Sequence, residues 1–288
     1  MQPWWSGFAP ELLALLSEPF ELFLEKANAF AKARSLASAR GQALKFVAQD
    51  TLSTKRLAVG YEAFIAQTGA VPTRDLRHDR LNALVWLSAT RSKQRLNALH
   101  EQALHENKVE PKACDVLVAS GTLGAKTLAA SKAQQAGDGR GALRDALTLV
   151  DENLMVITYQ ARGTELKNLL LNHNWQSLFW DCRDAWQGIW QPFVFGHGLL
   201  EKLEAPFKAI TAHCLLLAVD KPVARWREID DILCNAISSE LRSGHLLPLP
   251  VMGLPSWCPD DANPEFYNDT KVFRPKRRQR AEDEAQEG

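Results

Sequence analysis

The sequence predicts an α+β protein, predominantly helical, forming a single domain over residues 1–275 with a small antiparallel sheet. Three observations predict it. Apolar residues recur at three- and four-residue spacing through most of the chain, the pattern of helices that bury one face. Two β-rich runs, Ala146–Val150 and Leu154–Tyr159, flank the acidic stretch Asp151-Glu-Asn153 and read as a hairpin. With 46% hydrophobic and 24% charged residues, the chain can bury a substantial core without disulfides or metals as staples.

Taken in order, Pro10 suits the first turn of a helix through Leu16, and a second helix is expected around Pro19–Arg34. Lys45–Ala48 is short and apolar, a candidate strand. Ala58–Gln67 reads as a helix closed by Gly69, with Pro72-Thr73 marking the next start. Asp75–Leu87 and Lys93–His105 have the clearest helical spacing, and Ser88–Ser92 between them is a bend. Their shared pentapeptide Arg-Leu-Asn-Ala-Leu occurs only twice, too few copies for a solenoid.

Residues 108–140 are rich in Ala, Lys and Gly, and Gly137-Asp-Gly-Arg-Gly141 reads as a loop. After the hairpin, Trp175–Trp190 and Gly196–Leu203 read as helices. Thr211–Val219 is too short an apolar run for periodicity to decide between strand and helix. Val223–Leu241 is helical, and the proline-rich stretch from Leu246 is irregular. Residues 276–288 are expected to be a disordered charged tail.

The 34 basic and 34 acidic residues leave no global field to draw nucleic acid or an anionic membrane. Residues 274–288 carry five basic groups, but four acidic ones follow and partly cancel them. Five cysteines without a C-x-x-C pair argue against a disulfide framework and a zinc ribbon. The N-terminus lacks a basic leader, and no apolar run is long enough to span a bilayer, so the cytoplasm is the expected address.

A series of ordered motifs runs through the body: Tyr61-Glu62, Val71-Pro-Thr-Arg74, His78-Asp-x-x-Asn82-Ala-Leu-Val-Trp86, Leu96-Asn-x-Leu-His100 and Arg144-Asp-Ala-Leu-Thr-Leu-x-Asp-Glu-Asn153. Phe195-Gly-His197, Leu200-Glu-Lys-Leu203, Thr211-Ala-His213, Leu249-Pro-Val-x-Gly253, Phe266-Tyr-x-Asp-Thr270 and Val272-Phe-Arg-Pro275 complete it. Together they resemble the bacterial domain-of-unknown-function family 3025 over residues 61–275. The resemblance implies one domain and a proteobacterial cytoplasm, and it carries no activity. Leu154, where glycine is expected, and Gly198, where alanine is usual, depart from the pattern.

Four groups of polar residues could carry chemistry. His78, Asp79 and Asn82 open a helix, where histidine and aspartate suit a metal or a proton relay. The structural alternative is a carboxylate favouring the helix N-terminus and an asparagine tying down a loop. On one straight helix His78 and His100 would lie roughly 33 Å apart, so only the bend could bring them together. Arg144 and Asp145 precede the hairpin, with a buried ion pair as the structural alternative. Asp151 and Glu152 sit at its turn, where extended backbone would point them to opposite faces.

His197 and Glu201 stand one turn apart on a helix face, a two-ligand arrangement or a histidine oriented by its own carboxylate. His213 is either a further ligand or a hydrogen-bonded core residue. Trp175, Trp180, Trp186 and Trp190 have no basic groove beside them and are assigned to the core. Dinucleotide, Walker, nucleophile-elbow and paired-cysteine signatures are all absent.

The expectation is a cytoplasmic enzyme in which His78, Asp79 and His197, with Asp145 or His213 as further candidates, hold a divalent ion that assists hydrolysis. Asn82, Arg144, Glu201 and His213 are the expected binding residues. The rival is a non-enzymatic binding or scaffold protein in which the buried His, Asp and Asn residues are structural. Nothing in the sequence names a partner, and it carries no strong nucleic-acid signal.

Overall fold

The computed structural model describes residues 2–53, 60–109 and 128–276. The N-terminal helices α1 (Pro10–Leu15) and α2 (Phe20–Ala33) fall where the apolar spacing places them. Strand β1 (Lys45–Ala48) pairs in parallel with β2 (Ala70–Thr73), on either side of α3 (Tyr61–Thr68). Helix α3 ends on Gly69, whose φ of 67° is the left-handed cap that glycine adopts without strain. Gly69 also lies close to the preceding loop: a Cβ there would sit 2.2 Å from the Ala43 carbonyl oxygen.

Helices α4 (Arg77–Ser88) and α5 (Thr90–Val109) meet at the expected bend, where Ala89 leaves helical geometry. Asp230, on helix α9 (Trp226–Ala236), caps the new start. Its carboxylate accepts the backbone N–H groups of Arg91 (2.8 Å) and Ser92 (2.9 Å) and the Ser92 hydroxyl (2.6 Å). The bend returns the chain so that His78 and His100 line one cavity.

The expected hairpin is replaced by a helix that runs straight into a strand. Helix α6 spans Leu128–Asn153 and passes directly into β3 (Leu154–Tyr159). The reason is periodicity. Leu143, Ala146, Leu147 and Val150 are all buried, and their spacing is that of a helix face, whereas a strand needs alternation. Gly137–Gly141, expected as a loop, lies within this helix.

Strand β3 is the centre of a four-stranded sheet ordered β4-β3-β5-β6, with β4 at Trp190–Val194, β5 at Thr211–Ala218 and β6 at Leu247–Pro250. The sheet is mixed: β3 pairs antiparallel with β4 and parallel with β5, while β5 and β6 are antiparallel. Its first five residues are buried, as a strand covered on both faces must be. Helix α7 (Gly163–Leu171) follows β3, and α8 (His197–Glu204) follows β4. The helix expected over Trp175–Trp190 breaks into a π turn, a 3-10 turn and the start of β4.

One apolar cluster runs from Trp4 to Phe273 and takes in Trp175, Trp190 and Trp226, with Trp180 and Trp186 packed against it, so the tryptophans serve the core. The four cysteines among the described residues are free. No described helix is long and apolar enough to cross a membrane. Most of the expected charged tail lies outside the described residues.

Replacing Gly69 with alanine forces a left-handed residue with a Cβ onto the backbone of the loop before β1. Chemical denaturation is expected to show a loss of more than about 1 kcal/mol for Gly69→Ala. An unchanged midpoint would mean that the cap is not strained.

Candidate metal centre

Three elements converge on one point. His78 lies in the first turn of α4, Glu152 in the last turn of α6, and His197 is the first residue of α8. The Nε2 atoms of His78 and His197 are 3.0 Å apart. Glu152 Oε1 lies 3.7 Å from His78 Nε2 and 3.4 Å from His197 Nε2. The circle through three atoms so spaced has a radius of about 2.0 Å, so a cation near its centre would meet all three at ordinary Zn–N and Zn–O bond lengths.

Local packing makes this approach possible. Gly196, just before α8, donates its N–H to Leu154 O at 2.9 Å, which draws the helix start against the α6–β3 junction. Its φ of −61° is ordinary, so the requirement is for space: a Cβ at Gly196 would lie 2.5 Å from Asn153 N and 2.6 Å from the Glu152 carbonyl carbon. Gly198 is tight against the Glu152 side chain in the same way, with a Cβ position 2.5 Å from Oε2.

Around the three atoms lies a second layer. His78 Nδ1 is 2.9 Å from Glu201 Oε2, so the carboxylate accepts the Nδ1 proton and leaves Nε2 with its lone pair. Asp151 Oδ1 faces His197 Nδ1 at 3.9 Å, and that buried nitrogen has no hydrogen-bond partner. Lys93, only 4% exposed, holds Asp151 in an ion pair, donates to Asn82 Oδ1 at 2.8 Å and lies 5.4 Å from the centroid of the Trp86 ring.

The tautomers of the two histidines matter. With its Nδ1–H donating to Glu201, a neutral His78 can only accept at Nε2, so a direct contact between two neutral rings requires His197 to donate from Nε2. Neutral His197 would then turn an unprotonated Nδ1 towards the Asp151 carboxylate, lone pair against negative charge. A cation between the Nε2 atoms removes the conflict, because both lone pairs bind it and His197 carries its proton on Nδ1, facing Asp151; a proton that turns one ring into imidazolium does the same.

The cluster opens onto a cavity of about 350 Å3 lined by Gln49, Tyr61, Glu62, Arg74, His78, Asp79, Asn82, His100, Thr148, Asp151, Glu152 and His197. Tyr61 is 39% exposed overall, but the surroundings of its hydroxyl in the cavity wall push its pKa well up through burial, and the carboxylates of Glu62, Asp151 and Asp79 push the same way, so it stays protonated. Burial alone would raise Asp151, but the Lys93 charge and then His197 outweigh it and hold the carboxyl low. For Glu152, burial is likewise overcome, by the hydrogen bond and charge of His197 and by His78. Burial lowers His100 despite the carboxylates of Glu62 and Asp151.

Measured against the expected set, His78 and His197 meet as ligand candidates, but Asp79 does not join them. Its oxygens are taken by Arg74, through Nε at 3.0 Å, Nη2 at 2.8 Å and the backbone N–H at 2.7 Å. Glu152 supplies the carboxylate instead. Glu201 serves His78 rather than its helix neighbour His197. Asn82 lines the cavity between Lys93 and Tyr61.

Arg144 and Asp145, expected as binding and catalytic candidates with a buried ion pair as the structural alternative, are both exposed on α6 and outside the cavity lining, because the helix turns them away from its apolar face. His213, on β5, contacts Asn153 Nδ2 at 3.2 Å and lies outside the cluster, its pKa lowered by burial. Lys93 escaped the sequence reading altogether, since a lysine in a helix reads as solvated. Glu152 has no local signal either, since the expected hairpin turn points it away from Asp151.

The chain matches the family described as Protein of unknown function (DUF3025) over residues 44–120 and 117–277, and it belongs to that family. No curated protein and no solved structure matches it.

Removing the Lys93 charge strands a buried carboxylate, whereas removing both charges does not. Lys93→Met is expected to cost about 3–5 kcal/mol in urea denaturation, and Lys93→Met/Asp151→Leu markedly less. Equal losses in the single and double variants would show that the pair is not coupled.

Proposed function

We propose that this member of the family is a metal-dependent enzyme that binds one divalent transition-metal ion through His78 Nε2, His197 Nε2 and Glu152 and hydrolyses a small substrate in the adjoining cavity. The observation that carries the reading is the convergence of these three atoms from three separate elements at 3.0–3.7 Å, in tautomers that a shared cation reconciles. Two imidazoles and one carboxylate suit zinc, iron or manganese, and three protein ligands leave open positions of the kind catalytic sites keep. Such an ion, when bound, lowers the pKa of a water towards about 7.

The protein's own groups do the rest. Glu201 fixes the His78 ring and its tautomer. Asp151, held by Lys93, faces the Nδ1 proton of His197. Asp79 acts at one remove from the metal by aiming Arg74. Free cysteines support a cytoplasmic location.

The rival, a binding protein with structural histidines, draws support from buried polar locks elsewhere, such as Asp230 on Ser92 and Arg183 on Asp261, where no ligand is needed. Elemental analysis of tag-free protein after reconstitution separates the two. The expected result is about one equivalent of metal, lost in His78→Ala, Glu152→Ala and His197→Ala with circular dichroism intact. Glu201→Gln is expected to weaken metal affinity about 10–100-fold. A wild-type protein that takes up no metal, with variants merely less stable, would make these residues structural.

A further inference from the structure

The cavity beside the candidate metal cluster presents donors whose hydrogens have no acceptor among the described residues. Lys93 can only donate, so Asn82 must turn Oδ1 towards it and Nδ2 away, onto the Tyr61 hydroxyl oxygen at 3.1 Å. Tyr61 therefore accepts from Asn82. Among the described residues, nothing accepts its own proton. Asn82 is one turn along α4 from His78, which places this hydroxyl on the cluster's side of the cavity.

Arg74 is the second donor. Its Nε and Nη2 grip the two oxygens of Asp79, which fixes the plane of the guanidinium. Among the described residues nothing takes the Nη1 side, and the side chain is 51% exposed at the cavity. A fixed guanidinium with one edge free is a receptor for a group with two negative oxygens.

We propose that the substrate enters as an oxyanion, a carboxylate or a phosphate, held by the Tyr61 hydroxyl and the free edge of Arg74 while the rest of the molecule extends towards His78, Glu152 and His197. The inference rests on the metal reading for its chemistry, but its donors are different residues. A cavity of about 350 Å3 limits the ligand to a small molecule. Lys93 and Asp79 are positioning residues in this scheme: one sets the direction of the Asn82–Tyr61 hydrogen bond, the other the plane of Arg74.

Calorimetric titration of propanoate and of inorganic phosphate into wild type, Tyr61→Phe and Arg74→Gln, metal-loaded and metal-free, tests it. One of the two anions is expected to bind the wild type and to identify the source chemistry. Its affinity is expected to fall about tenfold or more in Arg74→Gln and several-fold in Tyr61→Phe, with metal stoichiometry unchanged. Arg74→Lys, which keeps the charge and loses the fork, replaces Arg74→Gln if the latter does not fold, and the same weakening is expected.

Binding of neither anion to metal-loaded wild type overturns the proposal. So does binding that both variants leave unchanged, since the anion then sits on the metal alone. If the wild type takes up no metal, the metal reading fails by itself, and the metal-free titrations decide this proposal on the same outcomes.

Discussion

Two carboxylates at the C-terminal end of a helix are the constraint on which the site depends. Helix α6 ends in Asp151-Glu152-Asn153 and passes without a loop into the central strand β3, so neither acid can move away. The end of a helix carries the negative pole of its dipole, where carboxylates are least welcome. Each must therefore meet positive charge or hydrogen-bond donors close by. Asp151 meets Lys93, which is almost wholly buried. Glu152 meets the imidazoles of His78 and His197, and these satisfy it fully only with a proton or a cation between them.

From that junction the neighbouring elements take their places. Gly196 lets the start of α8 close onto the end of α6, which sets His197 beside Glu152. The bend after Ser88, capped by Asp230, turns α5 back along α4, delivers His100 to the cavity that His78 lines and sets Lys93 behind its wall, on Asn82 and Asp151. Lys93 then connects both sides of the site, pairing with Asp151 while orienting Asn82 and, through it, Tyr61.

Much of this was legible in the sequence, and the misses share a cause. Helices α1, α2, α4 and α5, the bend between the last two and the Gly69 cap follow from local spacing and cap chemistry, which the sequence displays directly. His78 and His197 stand out because each opens a helix, the first beside an aspartate and the second amid apolar neighbours. The run Ala146–Val150 reads as a strand because β-branched and leucine residues suit either state, and only Leu143 upstream reveals the helical period. That one choice of period turned Asp151 and Glu152 from neighbours at a helix end into opposite faces of a turn. Asp79 and Glu152 exchanged roles for a reason no local pattern shows: Arg74, five residues before Asp79, folds back across the β2–α4 connection onto its carboxylate.

The most direct test of the central claim is a crystal structure of the metal-loaded protein with anomalous difference data at the metal edge. The account predicts one strong peak about 2.0–2.2 Å from His78 Nε2, His197 Nε2 and a Glu152 oxygen. A peak at other residues, or none with the two Nε2 atoms still in direct contact, would contradict it.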